Sequence, residues 1–293
     1  MEKRKTDYIL EKRLRKLDPE LHRRFSDTGF VLQGILDRYG ILFPEFTEHT
    51  QMHCVTVIDF CNLLIGDEQI MRMNADEIYI LLMACYLHDT GMVVSSRDYE
   101  SFKEQIDSSR FYRLHPDASE ADFVREFHQE LSGLFIRKYA DLFDIPSEKH
   151  IHAIVQVSRG HRKTDLYDPV EYPSDYALDN GNLVCMPYMS ALIRLADEIE
   201  VAASHNPVLL YDIEDIAENM PLLRQLESNV IKTLVTTDTS LLLYLSADMK
   251  EVPEEIEQMR KDMQRTLDYC RDLTEKRTPY LILQERVEIE YLK

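Results

Sequence analysis

His88 and Asp89 stand side by side directly after an apolar stretch that runs from Ile78 to Leu87. An imidazole and a carboxylate at the end of such a segment need something to offset their desolvation. A divalent cation does so, because it neutralises the carboxylate and takes up the imidazole lone pair; a polar helix cap is the plainer alternative. Asp197 poses the same question, set among Ile193, Leu195, Ala196 and Ile199. A carboxylate in those surroundings is costly unless it is paired or ligates something. His53 opens a third apolar segment with Cys54, Val55 and Val57, while His128 and His161 stand on more charged stretches. Arg159, Arg162 and Lys163 flank His161. Cationic groups beside a metal would hold phosphate oxygens, although solvated charges at a helix end give the same pattern. His49 precedes His53 by four residues, so on a shared helix the two would lie on one face. That makes His49 a candidate to bind substrate or to stand behind the metal ligands.

The segments carrying these residues read as helices. Apolar positions recur at helical spacing over residues 51–64, and Asp76-Glu77 suits the first turn of a helix that is apolar nearly all round up to residue 87. Gly91 reads as the punctuation of its C-terminal end. Residues 95–118 read as an irregular polar connection. Helices follow over about 119–140, 146–160 and 186–203, and the stretch 162–182, with Pro169, Pro173 and Gly181, reads as a long loop that could shape a site. One or two helices are expected over 7–23, with helical character again over 30–43. After residue 208 the pattern changes. A hairpin is expected around Asp238, then a long amphipathic helix over 253–276 and a half-buried strand with Val287, Ile289 and Tyr291. The expected fold is mainly α: a helical body over residues 1–210 and a small α+β appendage over residues 211–293.

A His, a His-Asp pair and a distant Asp, each on its own helix, resemble the HD superfamily of metal-dependent phosphohydrolases. The residues that carry the resemblance are His53, the segment from Leu87 to Met92 around His88-Asp89, and the segment from Arg194 to Glu198 around Asp197. The likeness covers about residues 27–210 and implies an all-α bundle. It implies that His53, His88, Asp89 and Asp197 bind a metal ion. It further implies that His128 and His161 bind a second one, with Asp89 bridging the two, which makes Asp89, His128 and His161 the candidate catalytic residues. The region is also similar to HD domains that precede GHKL-type ATPases in some bacterial proteins. Asn206-Pro207 departs from the Arg-x-Pro expected after the last of these helices, which bears on substrate binding and not on the metal ligands.

Charge narrows the substrate. Among 293 residues, 34 Lys and Arg face 53 Asp and Glu, a formal charge of −19. A surface that negative repels a long polyanion along its whole length, so nucleic acid is not expected as a partner and a small nucleotide is. The five cysteines are odd in number and form no CxxC pair, so they read as buried apolar residues in a reducing compartment. The charged start of the chain leads into no apolar leader segment, and no apolar stretch approaches the ~18 residues of a membrane span. A cytoplasmic protein without membrane contact is expected. Walker-type, GxGxxG and GxSxG motifs are absent from the sequence. The expected activity is hydrolysis of a phosphoester in a nucleotide or other small phosphorylated substrate, with one or two divalent ions that acidify water and polarise the phosphoryl group. His and carboxylate ligands suit Mn, Fe, Ni, Co, Zn or Mg. A non-catalytic nucleotide-sensing HD module and a metal-dependent nuclease are the alternatives. The appendage is a candidate surface for a homo-oligomer or a partner protein.

Overall fold

A computed structural model describes residues 9–36, 51–162, 164–203, 231–236, 239–245 and 254–291. Among the described residues, ten α-helices precede the C-terminal region: α1 (Ile9–Leu17), α2 (Pro19–Leu36), α3 (Gln51–Ile65), α4 (Asp67–Arg72), α5 (Ala75–Leu87), α6 (Ser96–Lys103), α7 (Ser109–Leu114), α8 (Glu120–Lys138), α9 (Glu148–Arg159) and α10 (Met186–Ala203). A two-residue antiparallel ladder, β1 (Tyr176–Ala177) with β2 (Leu183–Val184), precedes α10. Strands β3 (Ile231–Thr236) and β4 (Ser240–Leu245), helix α11 (Glu254–Arg277) and strand β5 (Arg286–Tyr291) complete the described chain. The fold is mainly α with small sheets, as composition and periodicity indicate. The expected boundary near residue 210 falls outside the described residues. No single helix among the described residues is long and apolar enough to cross a membrane.

Helix α5 is the centre of the bundle. Every side chain from Ile78 to Cys85 is buried, which a helix apolar on all sides requires. Its start is fixed by a capping box: Asn74 Oδ1 accepts from the Glu77 N–H, and the Glu77 carboxylate accepts from the Asn74 N–H. Glu77 is buried beside the Tyr280 hydroxyl, which donates to it at 2.8 Å, so the chain beyond α11 is tied to the same cap. Asp76, also buried, accepts from His150 Nε2 at 2.8 Å and from the amides of Asn180 and Asn182. That network joins α5, α9 and the loop before β2, and it gives His150 a structural role.

The end of α5 differs from expectation in an informative way. Gly91 is not needed for a left-handed turn: a 3-10 turn, Thr90–Val93, follows the helix, and the glycines with positive φ are Gly66 and Gly181. Gly91 is needed for close approach. A Cβ there would lie 2.2 Å from the His128 carbonyl oxygen and 2.6 Å from the Ser132 amide nitrogen, both backbone atoms of α8. The Gly91 N–H donates to Ser132 Oγ at 2.8 Å. We expect Gly91→Ala to push α8 away and to cost about 1–3 kcal/mol, the range for overpacking a tight contact; thermal denaturation measures it, and an unchanged midpoint would contradict the packing described.

The segment 95–118 is not irregular. Ser95 caps α6 by accepting from the Asp98 N–H; Tyr99 and Phe111 bury their rings edge-on to Phe123 of α8, and the buried Phe102 ring lies under the Lys138 ammonium at the end of α8. Helices this short draw their stability from tertiary packing and not from local propensity, which is why the pattern hid them.

Helix α10 packs against α3, α5, α9 and α11. Helix α11 buries Ile256, Met259, Met263, Leu267 and Cys270, one face at three- and four-residue spacing. It also makes the crossover between β4 and β5, which pair in parallel, while β3 pairs antiparallel with β4. All five cysteines are buried free thiols.

Candidate metal centre

Five segments deliver one group or more each to a single buried spot. His53 comes from the first turn of α3, His88 caps the C-terminal end of α5, and Asp89 follows it. His128 comes from the middle of α8, His161 lies just beyond α9, and Asp197 sits in α10. All six are buried.

The imidazoles are aimed by what their other nitrogens bind. His53 Nδ1 lies 2.7 Å from Glu200 Oε2. His88 Nδ1 lies 3.0 Å from the Cys85 carbonyl, His128 Nδ1 2.8 Å from the Arg125 carbonyl, and His161 Nδ1 2.5 Å from the Ser158 carbonyl. Carbonyls and carboxylates only accept, so each Nδ1 carries the proton and donates it. Each Nε2 therefore turns its lone pair to the centre. Three of the four anchors are the carbonyl three residues back, which makes them a product of local helix geometry.

The Nε2 atoms meet in pairs. His53 Nε2 and His88 Nε2 are 3.1 Å apart, and His128 Nε2 and His161 Nε2 are 2.9 Å apart. Asp89 Oδ2 lies 3.4 Å from each nitrogen of the first pair, and Asp197 Oδ1 lies 3.4 Å and 3.5 Å from them. Asp89 Oδ1 faces the second pair, at 3.7 Å from His128 and 3.5 Å from His161. Two sets result, His53/His88/Asp89/Asp197 and Asp89/His128/His161, each with its donor atoms within 4.8 Å of one another. The two carboxylate oxygens of Asp89 serve one set each.

These dimensions fit a metal. Ligands at ~2.0–2.2 Å from a common ion are separated by about 3–3.5 Å. Facing imidazole lone pairs repel at such separations unless a cation lies between them; one proton satisfies one pair but not four converging donors. Asp197 Oδ1 makes the same point, as a buried carboxylate oxygen that faces the Nε2 atoms of His53 and His88 at 3.4 Å and 3.5 Å. The electrostatics of the bare protein agree. Burial disfavours charge on His53, yet Asp89 and Glu200 outweigh it and hold the imidazole well above its ordinary range. Burial would raise Asp197, and His88 and His161 beside it pull it below the usual carboxylate range instead. His161, buried and next to His88, is pushed well below the ordinary imidazole range, the form that ligates. The site attracts positive charge at its first set and keeps His161 neutral at its second.

Other residues singled out in the sequence lie elsewhere or take part differently. Arg159 is held by Glu130, with Nε and Nη2 both donating to its carboxylate, and by Gln156 and Glu171; the fold does not bring it to the cluster. Arg162 stands within electrostatic reach of Glu198. His49 and Lys163 fall outside the described residues. His152 packs its ring against Tyr176, and His22 pairs with Glu11. Glu200 was not legible as a site residue. The signal that could have found it is its place three residues after Asp197, one turn along the same helix face.

A helical bundle that brings His, His-Asp, His, His and Asp from separate segments to one buried cluster is an HD-type domain. The HD-CE family model matches residues 43–284, most of the chain, and the chain belongs to the HD-CE family. No curated protein and no solved structure matches.

Proposed function

We propose that the protein is a metal-dependent phosphohydrolase that acts on a nucleotide or another small phosphorylated substrate. The observation that carries this reading is the convergence of four Nε2 lone pairs and both oxygens of Asp89 on two adjacent points. Divalent ions held there would supply Lewis-acid charge for a phosphoryl oxygen and acidify water. The chain's own residues do the rest. Glu200 and the three helical carbonyls engage each Nδ1 and leave each Nε2 as the atom that faces a ligand. Asp89 would offer one carboxylate oxygen and part of its negative charge to each point. Asp197 closes the first point from the opposite helix. The acidic surface keeps long polyanions away and leaves a small substrate favoured.

The test combines metal analysis with a substrate panel. Purified protein should contain one or two equivalents of a transition metal. With Mn²⁺ added it should hydrolyse members of a panel of dNTPs, cyclic dinucleotides and a model phosphodiester, and leave single-stranded DNA intact. Activity confined to DNA would replace this reading with a nuclease. Full metal occupancy without hydrolysis of any panel member would overturn the enzymatic reading and favour a sensing module.

A further inference from the structure

Resting on the two-ion reading above, we infer that Arg194 is a positioning residue for His161, and that α11 is the support that holds Arg194 in place. The histidines differ in how the backbone fixes them. His53 and His128 lie within helices, and the His88 N–H still donates to the Ala84 carbonyl, four residues back. His161 lies past the end of α9, and its N–H reaches only the Ser158 carbonyl at 3.3 Å. Helix geometry anchors its imidazole through the Ser158 carbonyl but gives its own peptide little backbone support.

Arg194 supplies that support from α10, three residues before Asp197. Its Nε donates to the Gly160 carbonyl at 2.8 Å. Its Nη2 donates to the Thr164 carbonyl at 2.8 Å and to the Arg162 carbonyl. The backbone on both sides of His161 is thereby fastened to the helix that bears Asp197. Gly160 permits the approach, since a Cβ there would lie 2.4 Å from Ser190 Cβ on α10. A guanidinium suits this duty because its donors are fixed in one plane, whereas a lysine ammonium is a point charge on a flexible stem.

Helix α11 backs the clamp. The Tyr269 ring lies under the guanidinium, 5.3 Å from its carbon to the ring centroid. The Tyr269 hydroxyl accepts from the Leu166 N–H at 2.9 Å, and Arg277 donates to the carbonyls of Leu166 and Tyr172. The loop after His161 is thus tied to α11 at several points. The C-terminal helix therefore bears on the second metal set, although it contributes no ligand from its described residues to either set.

The experiment is a titration of metal-stripped protein with MnCl₂, followed by calorimetry and Mn²⁺ electron paramagnetic resonance. Wild type should show two binding steps, and His161→Ala marks which of them depends on the second set. Arg194→Lys should weaken that step by about 10–100-fold, the usual effect of removing a group that orients a ligand, and leave the other step unchanged. Tyr269→Leu should shift the same step in the same direction by less, and it carries the test if Arg194→Lys fails to fold by circular dichroism. Two steps of wild-type affinity in the variant that folds would overturn the inference alone. So would equal weakening of both steps, which is what a general loss of stability produces. A wild-type protein that takes up no Mn²⁺ would overturn the metal reading itself, and the inference with it.

Discussion

Asp89→Asn is expected to keep the helical bundle and to lower phosphohydrolysis further than the loss of any single histidine. The reason lies in the two faces of one carboxylate. Oδ2 stands 3.4 Å from His53 and His88, and Oδ1 stands 3.5 Å and 3.7 Å from His161 and His128. A histidine replacement removes one donor from one set. The asparagine removes the negative charge from both and turns an amide N–H₂ toward facing lone pairs. That amide can donate to an Nε2 atom, so the buried site stays satisfied and the fold survives while metal is excluded. If the ions supply several kcal/mol of charge stabilisation, the loss is about 10²–10⁴-fold in kcat/KM. The measurement is kcat/KM on the best substrate of the panel, with metal content and circular dichroism recorded on the same preparations. Equal activity in the two proteins would place the chemistry outside this cluster.

How far the sequence could be read follows from what made each residue conspicuous. His88, Asp89 and Asp197 stood out because ionisable groups interrupt apolar runs, and the surroundings that made them costly are the buried faces of α5 and α10. Glu200 did not stand out. In a chain with 53 acidic residues, a glutamate near a helix end reads as solvated, and only the packing of α10 on α3 buries it against His53. Arg159 shows the converse. Its place beside His161 in the chain suggests a phosphate ligand, but it lies within α9, where it faces α8 and Glu130, while His161 lies beyond the helix end and turns to the cluster. Proximity in sequence is lost at a helix terminus. The pairing of Asp76 with His150 joins positions 74 residues apart, and no local pattern announces it.

The helices divide along the same line. α3, α5, α8, α9 and α10 were legible because their apolar faces are long. α6 and α7 were not, since each buries only one or two aromatic rings and forms on a surface that other helices provide. Gly91 was noticed for the wrong physical reason. A glycine after an apolar run suggests a left-handed terminus, whereas here the missing side chain admits the backbone of α8, and with it His128.

Removal of the metal is expected to lower the melting temperature, and Asp197→Asn should abolish most of that dependence. The six candidate ligand groups are buried, so without a cation the folded state holds two neighbouring carboxylates away from water with only imidazole protons to offset them. An ion present at 100 times its Kd adds about 2.7 kcal/mol to the stability of a single-site protein. For a chain of this size each kcal/mol moves the midpoint by roughly 2–4 °C, so dialysis against a chelator should lower it by about 5–10 °C and readdition of Mn²⁺ should restore it. Asp197 separates this from a nonspecific effect of chelators. With metal bound, Asp197→Asn loses a charged ligand and should melt lower than wild type. Without metal, the same change removes a carboxylate that stands 3.4 Å and 3.5 Å from His53 and His88, whose imidazoles, against burial, the neighbouring carboxylates hold above their ordinary range. Breaking such a pair destabilises too, so the variant should melt lower than wild type in both states and gain little on reloading. Differential scanning fluorimetry on both proteins, stripped and reloaded, reads the four states. Equal midpoints for stripped and reloaded wild type would mean that the cluster holds no ion, and full recovery of the midpoint when Asp197→Asn is reloaded would mean that Asp197 is not a ligand.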